Sequence, residues 1–191
     1  REETVGPDPR WRMQAPLTTS LTVTTPGNLV YNSSFARSVT LSNPADPLSL
    51  TNQTSTLNIN GRIYTSLFTA ATRTFVDTSP AGRQTTELID VQGRVTQQQF
   101  ANLDAANYTY DVRGRLATAT LGAGGTARLF TYGYNPDGYL SSITDPLNRV
   151  VGFSRDNAGR VTQQTLPDTR VISYGYNANG YLTSVTPPGR P

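Results

Sequence analysis

The chain contains no cysteine, no histidine and no lysine. Without cysteine it can form neither a disulfide framework nor a thiolate metal site, and without histidine the usual zinc sites are excluded as well. The Ser–His, Cys–His and Ser–Lys arrangements that activate a nucleophile cannot be built either. These absences remove the hydrolases that depend on a nucleophile activated by histidine or lysine, or on the usual zinc sites. We predict that the protein is not an enzyme, with no catalytic residue, no metal site and no cofactor.

Charge of both signs is scarce, because charged residues make up 15% of the 191 residues and the net charge is +3. All sixteen basic residues are arginines, and no run of like charges occurs. Nucleic-acid binding therefore has little electrostatic basis. No apolar run approaches the roughly 20 residues that a membrane helix needs. We expect no nucleic-acid partner and no insertion into a membrane.

Threonine is abundant, with 29 copies against three glutamates, and it favours strands because it is β-branched. Turn glycines recur at intervals of 21, 24, 21 and 21 residues, at Gly93, Gly114, Gly138, Gly159 and Gly180. A second set of turns lies halfway between them, and Gly61 and Gly82, 21 residues apart, begin this second set. A turn therefore occurs about every 10 to 11 residues along the chain.

This spacing leaves strands of roughly six or seven residues, and strands joined by short turns must be antiparallel. Repeated units of this kind pack on their neighbours in an extended array. We therefore predict an all-β fold, in which repeated antiparallel β-hairpins form an extended, curved or spiralling sheet of about thirteen strands.

The array is predicted over residues 58–191, and residues 1–57 form a β-rich N-terminal segment without clear repeats. In that segment, alternation predicts strands at residues 18–25 and 38–42. Gly6-Pro7-Asp8-Pro9 indicates a turn or an extended linker, because proline fixes φ and biases its predecessor away from helix. Both ends of the chain read as cut from a longer protein.

One nine-residue motif recurs in the array, at residues 108–116, 132–140 and 174–182. Two tyrosines at i and i+2 share a sheet face, where we expect them to stack across strands. A turn ending in glycine follows, because glycine adopts positive φ at little cost. Arginine usually comes next and can stack on the tyrosines of the next hairpin. The repeat residues are Tyr108, Tyr110, Tyr132, Tyr134, Tyr174, Tyr176, Arg94, Arg115 and Arg160; Tyr139 and Tyr181 stand where arginine is expected.

The phrase Tyr-x-Tyr-Asp-x-x-Gly-Arg-Leu at residues 108–116 resembles the YD repeat of Rhs, teneurin-like and insecticidal-toxin-complex shell proteins. The resemblance covers about residues 61–190. Three positions depart from it, since Arg155 replaces a tyrosine and Asn135 and Asn177 replace aspartate. The resemblance implies a long antiparallel sheet that spirals into a hollow shell, which in some relatives encloses a C-terminal toxic domain. The self-cleaving aspartyl motif that often ends such shells is absent from this sequence.

Three functions follow as hypotheses. The first is a structural, non-enzymatic segment of a large secreted or cell-surface protein, an open part of a β-shell or scaffold that encloses or presents a C-terminal effector. The second is a filament or tube assembled from copies of the chain, because unpaired strand edges template pairing. The third is a glycan-binding adhesin that uses Tyr132, Tyr134, Tyr139, Tyr174, Tyr176 and Tyr181. The expected partners are accordingly the rest of a longer chain, copies of this chain, an enclosed effector or cell-surface glycans.

Overall fold

A computed structural model describes residues 1–189 of the protein. Arg190, which the sequence places after a glycine like the other repeat arginines, lies outside these residues. Sixteen antiparallel strands form one open sheet, in which the strands follow one another in chain order. The all-β, antiparallel prediction is confirmed. The expected number of about thirteen strands is wrong, in part because a strand occupies the predicted linker near the N-terminus.

The chain divides into two compact units, Arg1–Ala105 and Ala106–Pro191. The strands of the first unit are β1 (Glu2–Asp8), β2 (Arg12–Thr24), β3 (Val30–Leu41), β4 (Leu50–Ile59), β5 (Arg62–Thr69), β6 (Thr74–Thr78), β7 (Gln84–Ile89) and β8 (Val95–Phe100). The strands of the second are β9 (Ala106–Tyr110), β10 (Leu116–Leu121), β11 (Arg128–Tyr134), β12 (Leu140–Thr144), β13 (Val150–Arg155), β14 (Val161–Thr165), β15 (Val171–Tyr176) and β16 (Leu182–Thr186). A short 3₁₀ turn at Gly124–Thr126 lies between β10 and β11 and accounts for the longer 24-residue interval.

The N-terminal strands are longer than the sequence indicates. β2 has 13 residues and β3 has 12, because pairing continues beyond the segments that alternate in hydrophobicity. The sequence assigns Gly6-Pro7-Asp8-Pro9 to a turn or an extended linker; in the structure the first three of these residues end strand β1, and Pro9 begins the turn that follows. β1 lies at the edge of the sheet, and its register with β2 shifts between Gly6 and Asp8. An edge strand tolerates proline at such a bulge, where no ladder hydrogen bond is lost.

A β-bulge recurs in five hairpins of the repeat array, always one pair inside the turn. In the β11–β12 hairpin, Tyr134 pairs with Leu140 but Gly133 pairs with Ser142, so that Ser141 has no Cα partner. The same shift occurs in β7–β8, β9–β10, β13–β14 and β15–β16. A bulge bends its strand and increases the local right-handed twist. Its regular recurrence gives these hairpins a common local geometry.

The sheet is a single layer without a conventional core. In residues 1–189, no hydrophobic side chain is buried, and Asp8, with 2% of its surface exposed, is the one buried polar residue. Domains usually bury one face of a sheet on a second layer. Here neighbouring strands supply the contacts instead, as in the Phe68–Phe75 ring pair at 4.5 Å and the Thr109–Thr118 hydroxyl pair at 2.6 Å. Such cross-strand pairs contribute roughly 0.2–1 kcal/mol each.

Candidate functional site: the aspartate turns and the arginine–tyrosine pairs

The predicted turn glycines all adopt a left-handed backbone. In the β11–β12 turn, Gly138 N donates to Asn135 O at 3.0 Å and Asn135 N donates to Tyr139 O at 2.9 Å. This is the geometry of a type I turn followed by a positive-φ residue. The glycines with φ between +74° and +95° include Gly61, Gly82, Gly93, Gly114, Gly138, Gly159 and Gly180. Asn148 takes the same place in the β12–β13 turn, with φ +59°.

Four of these turns are held by an aspartate that binds the arginine four residues later. In the β9–β10 turn, Asp111 Oδ1 accepts the backbone N–H groups of Arg113 and Arg115, both at 2.9 Å. Asp111 Oδ2 accepts Arg115 Nε at 2.7 Å and Nη2 at 2.6 Å. The same four contacts occur in the turns of Asp90, Asp145 and Asp156. One carboxylate therefore fixes both the turn backbone and its arginine.

These contacts keep the carboxylates ionised. The side-chain bond from Arg115, followed by its backbone N–H, holds the pKa of Asp111 below its usual range. The pKa of Asp145 and that of Asp156 are lowered in the same way by Arg149 and Arg160. Burial raises the pKa of Asp90, but the bonds from Arg94 and Gln92 outweigh it and the net shift is downward. Ionised acids with both oxygens occupied are suited to holding a turn rather than to transferring protons.

Where asparagine replaces aspartate, tyrosine replaces arginine. Asn135 Oδ1 still accepts the backbone N–H of Tyr139, at 2.8 Å. Asn177 Oδ1 accepts Tyr181 N at 3.0 Å in the last turn. An amide lacks the second anionic oxygen that a guanidinium would bind, and tyrosine has no charge to offer it. The two departures from the sequence pattern are therefore one coupled change, visible in the spacing of Asn135 to Tyr139 and of Asn177 to Tyr181.

The turn arginine also covers a tyrosine of the next hairpin. The guanidinium carbon of Arg115 lies 4.1 Å from the centre of the Tyr134 ring, and that of Arg160 lies 4.8 Å from the Tyr176 ring. Such contacts stabilise by roughly 0.5–1 kcal/mol where they are exposed. The tyrosine hydroxyls donate to backbone carbonyls of the previous hairpin, at Leu116 and Val161, both at 2.8 Å.

A third pair, which lies between these two pairs along the chain, has its arginine and its tyrosine exchanged. Tyr139 holds the arginine position, and Arg155 of the next hairpin holds the tyrosine position. The Arg155 guanidinium carbon lies 5.4 Å from the Tyr139 ring centre, and Arg155 Nη1 donates to Gly159 O at 2.9 Å. The exchange preserves the contact between an arginine and a tyrosine. Sequence alone shows that Tyr139 and Arg155 are unusual, but not that they meet.

The same side chains lie over the glycine of the next turn. A Cβ on Gly138 would stand 3.4 Å from Arg115 Nη1, and one on Gly180 would stand 3.3 Å from Arg160 Nη1. A Cβ on Gly159 would stand 2.6 Å from the Tyr139 hydroxyl oxygen. The turn glycine therefore has a second role that spacing does not reveal, since it admits the side chain of the previous hairpin.

Of the remaining predicted residues, the tyrosines lie on the repeat strands and Arg94 lies in the turn before β8. Arg94 binds Asp90, and Tyr174 donates from its hydroxyl to Gln164 at 3.2 Å. Tyr108 lies opposite Ala119 and Tyr132 opposite Ile143, whereas Tyr110 precedes the Asp111 turn. Arginine was expected to stack on the tyrosines of the next hairpin, and it covers one face of Tyr134 and one of Tyr176. Stacking of tyrosine on tyrosine stays a prediction.

A separate apolar hollow of about 640 Å³ lies on the sheet of the first unit. Its lining includes Phe35, Leu57 and Tyr64, which are adjacent across β3, β4 and β5. Phe100 and Leu103 also line it. Periodicity does not predict this hollow, because its lining comes from strands far apart in the sequence.

Two further features are absent from residues 1–189. Among residues 1–189, histidine, cysteine, aspartate and glutamate form no group of three that could hold a metal ion. No helix in that part of the chain has the length and apolar character needed to span a membrane. The regular features of the described residues are the repeated turn and the arginine–tyrosine contact that joins three of these turns to the next hairpin.

A family model described as teneurin YD-shell matches residues 21–190. The chain belongs to this family. The resemblance to YD-repeat proteins is confirmed, and the YD-shell match reaches into residues 21–57, where the sequence shows no clear repeat. The boundary at residues 57 and 58 stays a prediction. No curated protein matches the chain.

Solved toxin-complex structures share the YD-shell fold. "Crystal Structure of TcdB2-TccC3" aligns with a TM-score of 0.52 and 16% identity over 97% of this chain. A structure of the Photorhabdus luminescens Tc holotoxin pore aligns with a TM-score of 0.53 and 13% identity over 88%. The chain spans 12% of the first protein chain and 11% of the second. At this identity the likeness shows the fold, and the YD-shell chain matches a small part of those larger proteins.

Proposed function

We propose that this chain is a structural wall segment of a larger YD-shell protein that is secreted or displayed at the cell surface. The observation that carries the proposal is the single-layer sheet, which buries no hydrophobic side chain in residues 1–189. A one-layer sheet leaves both faces and both edge strands available to other parts of a protein. Such a sheet is suited to separating two spaces rather than to surrounding a core of its own.

The segment is non-enzymatic in this proposal. The turn aspartates are ionised and bound to backbone N–H groups and to arginine, so that they are occupied structurally. A hydrolytic activity that copurified with the chain and disappeared on Asp111→Asn would contradict this part of the proposal. The comparison variant is Asp104→Asn, because Asp104 is exposed and lies outside the repeated turns.

The wall encloses or presents a C-terminal effector. The apolar hollow lined by Phe35, Tyr64 and Phe100 supports this step, because it offers hydrophobic surface to a polypeptide lying against the sheet. In this proposal the effector is part of the larger protein.

The test is protease protection of the effector in the full-length protein. A tag is placed on the C-terminal effector, and its digestion is compared between the intact protein and a deletion of residues 106–189. We expect the tag to resist protease in the intact protein and to be digested in the deletion. Asp104→Asn is the control, because Asp104 is exposed and lies outside the repeated turns. Equal digestion of the tag in the intact and deleted proteins would overturn enclosure.

Assembly of copies into a filament is the second candidate. It is favoured by the two edge strands, since β1 and β16 each pair on one side within residues 1–189. Unprotected edges of this kind template pairing with another chain. Light scattering after size-exclusion chromatography tests this proposal. A filament should show a molar mass that rises with protein concentration, and a strict monomer at high concentration would contradict assembly.

Glycan binding through the tyrosines is a third proposal, and the geometry reduces the number of candidate tyrosines. Tyr134 and Tyr176 each have one ring face against arginine and a hydroxyl bound to the backbone. Tyr139 and Tyr181 are more exposed and are the candidates for stacking on a sugar. A glycan array with Tyr139→Ala and Tyr181→Ala variants tests this, and hits that ignore both changes would reject it.

A further inference from the structure

We infer that the free edge of β16 is built to receive an antiparallel β-hairpin that carries Arg-Asx-x-x-Gly, where Asx is aspartate or asparagine. The hairpin is supplied by the larger YD-shell protein, so the inference rests on the proposed function. It goes further in naming the residues by which that hairpin is recognised: an arginine where most repeats have tyrosine, and a glycine four residues later.

The inference begins with a rule that joins successive hairpins. In three successive turns of the second unit, the residue after the turn glycine contacts two places on the next hairpin, the side chain before its Asx and the glycine of its turn. Arg115 contacts Tyr134 and lies over Gly138. Arg160 contacts Tyr176 and lies over Gly180. In both cases an arginine meets a tyrosine.

The middle pair shows what a tyrosine in this position requires. Tyr139 contacts Arg155 and lies over Gly159, so that tyrosine meets arginine. Two tyrosines here would lose the cation, and two arginines would repel each other. The residue after one turn glycine therefore specifies the residue before the next Asx. Arg155-Asp156-Asn157-Ala158-Gly159 is the sequence that fits a tyrosine.

Tyr181 is the next residue in this series. Its turn is closed by Asn177 as the Tyr139 turn is closed by Asn135, through the same backbone N–H to Oδ1 bond. Tyr181 is 70% exposed, whereas Tyr139 under Arg155 is 45% exposed. All five residues of β16 are exposed, but all five of β12 are partly covered. β12 is partly covered because the β13–β14 hairpin lies beside it. β16 has no following strand beside it in residues 1–189.

A second copy of the chain does not supply the matching hairpin. Its edge strand β1 would place Pro7 before the Asx and Trp11 three residues after it, where arginine and glycine are required. Asp8 is also already bound, through Oδ2, to Arg37 at 2.9 Å. The rule therefore favours a YD hairpin over the N-terminal hairpin of another copy.

The experiment measures which of two hairpin peptides binds the chain more tightly. It then tests whether a double substitution in the chain reverses that order. Two backbone-cyclised hairpin peptides are used, one with the sequence of residues 150–165 and one with Arg155→Tyr in that sequence. Each is titrated into the intact chain and into an Asn177→Asp/Tyr181→Arg variant, with amide chemical shifts of β16 as the readout. The control is the same double change at Asn135 and Tyr139, away from the free edge. Backbone spectra verify that both variants are folded.

We expect the arginine peptide to bind the unaltered chain about tenfold more tightly than the tyrosine peptide. The order should reverse in the Asn177→Asp/Tyr181→Arg variant and stay unchanged in the control. Equal binding of both peptides to every chain overturns the inference and leaves the proposed function standing. Binding of neither peptide also overturns it, and the proposed function is then decided by its own protease test. Dimerisation that Tyr181→Ala abolishes would identify a second copy as the partner and overturn it too.

Discussion

The Arg155 guanidinium carbon lies 5.4 Å from the centre of the Tyr139 ring. In this pair the order of arginine and tyrosine along the chain is opposite to that in the two neighbouring pairs. Arg115 with Tyr134 and Arg160 with Tyr176 make the same contact with arginine in the earlier hairpin. In the reversed pair the earlier hairpin supplies the tyrosine. The contact between hairpins is therefore set by both residues together, and each of the first two predictions tests one part of it.

The first prediction concerns the coupling of Tyr139 and Arg155. Tyr139→Arg places two guanidinium groups together and should lower the free energy of unfolding by about 1 kcal/mol. Adding Arg155→Tyr restores an arginine–tyrosine contact in the usual sense. A double-mutant cycle in urea should give a coupling energy of about 1 kcal/mol. Tyr181→Arg is the matched control and should change stability by less than about 0.5 kcal/mol. Additive effects of the two changes would contradict the coupling.

The second prediction compares two glycines of nearly equal φ. Gly93 has φ +79° with no atom near its absent Cβ, whereas Gly159 has φ +77° with the Tyr139 hydroxyl oxygen 2.6 Å from that position. Gly93→Ala should cost about 1 kcal/mol, the ordinary cost of a left-handed alanine. Gly159→Ala should cost more in thermal or urea unfolding, because Tyr139 must also move. Adding Tyr139→Ala should bring the cost of Gly159→Ala down to that of Gly93→Ala. Equal costs for the two single glycine changes would show that Tyr139 does not constrain the turn.

The third prediction concerns acid. The pKa of Asp111 is lowered by Arg115, so the folded chain binds fewer protons than the unfolded chain, whose aspartates titrate at about 3.9. Stability from this turn is fully present above that pH and is lost as the pH falls through the lower folded pKa. Melting temperatures between pH 2 and pH 7 should fall in acid, and less steeply in Asp111→Asn. Asp104→Asn is the control; the same slope for Asp111→Asn and the unaltered chain would refute the assignment.

The fourth prediction concerns the buried Asp8. Burial raises the pKa of Asp8, but the backbone N–H groups of Trp11 and Arg10 and the guanidinium of Arg37 outweigh it and leave it lowered. Asp8→Ala removes the acceptor of all three and should cost about 2 kcal/mol. Asp46→Ala removes an exposed loop carboxylate and should cost less. Urea unfolding that finds the two variants equal would mean that the buried contact adds nothing.

The sequence predicts the repeat because its main determinants are local. The turn at residues 135–139 depends on residues four apart, which spacing reveals. The contact of Asp111 with Arg115 spans the same four residues but was not predicted. The pairing of Tyr139 with Arg155 was not predictable, because it depends on how one hairpin is placed on the next. The length of β2 was missed for a related reason: pairing with β1 and β3 continues through residues that do not alternate.

The reversed pair also bears on how a repetitive chain finds its own order. Hairpins of similar sequence compete for the same neighbour during folding, and repeat proteins misassemble in this way. If the chain skipped the β13–β14 hairpin, Tyr139 would meet Tyr176; if it skipped the β11–β12 hairpin, Arg115 would meet Arg155. The first error would place two tyrosines together, and the second would place two arginines together. The exchange therefore penalises the omission of either of these two hairpins, although the hairpins are similar in sequence.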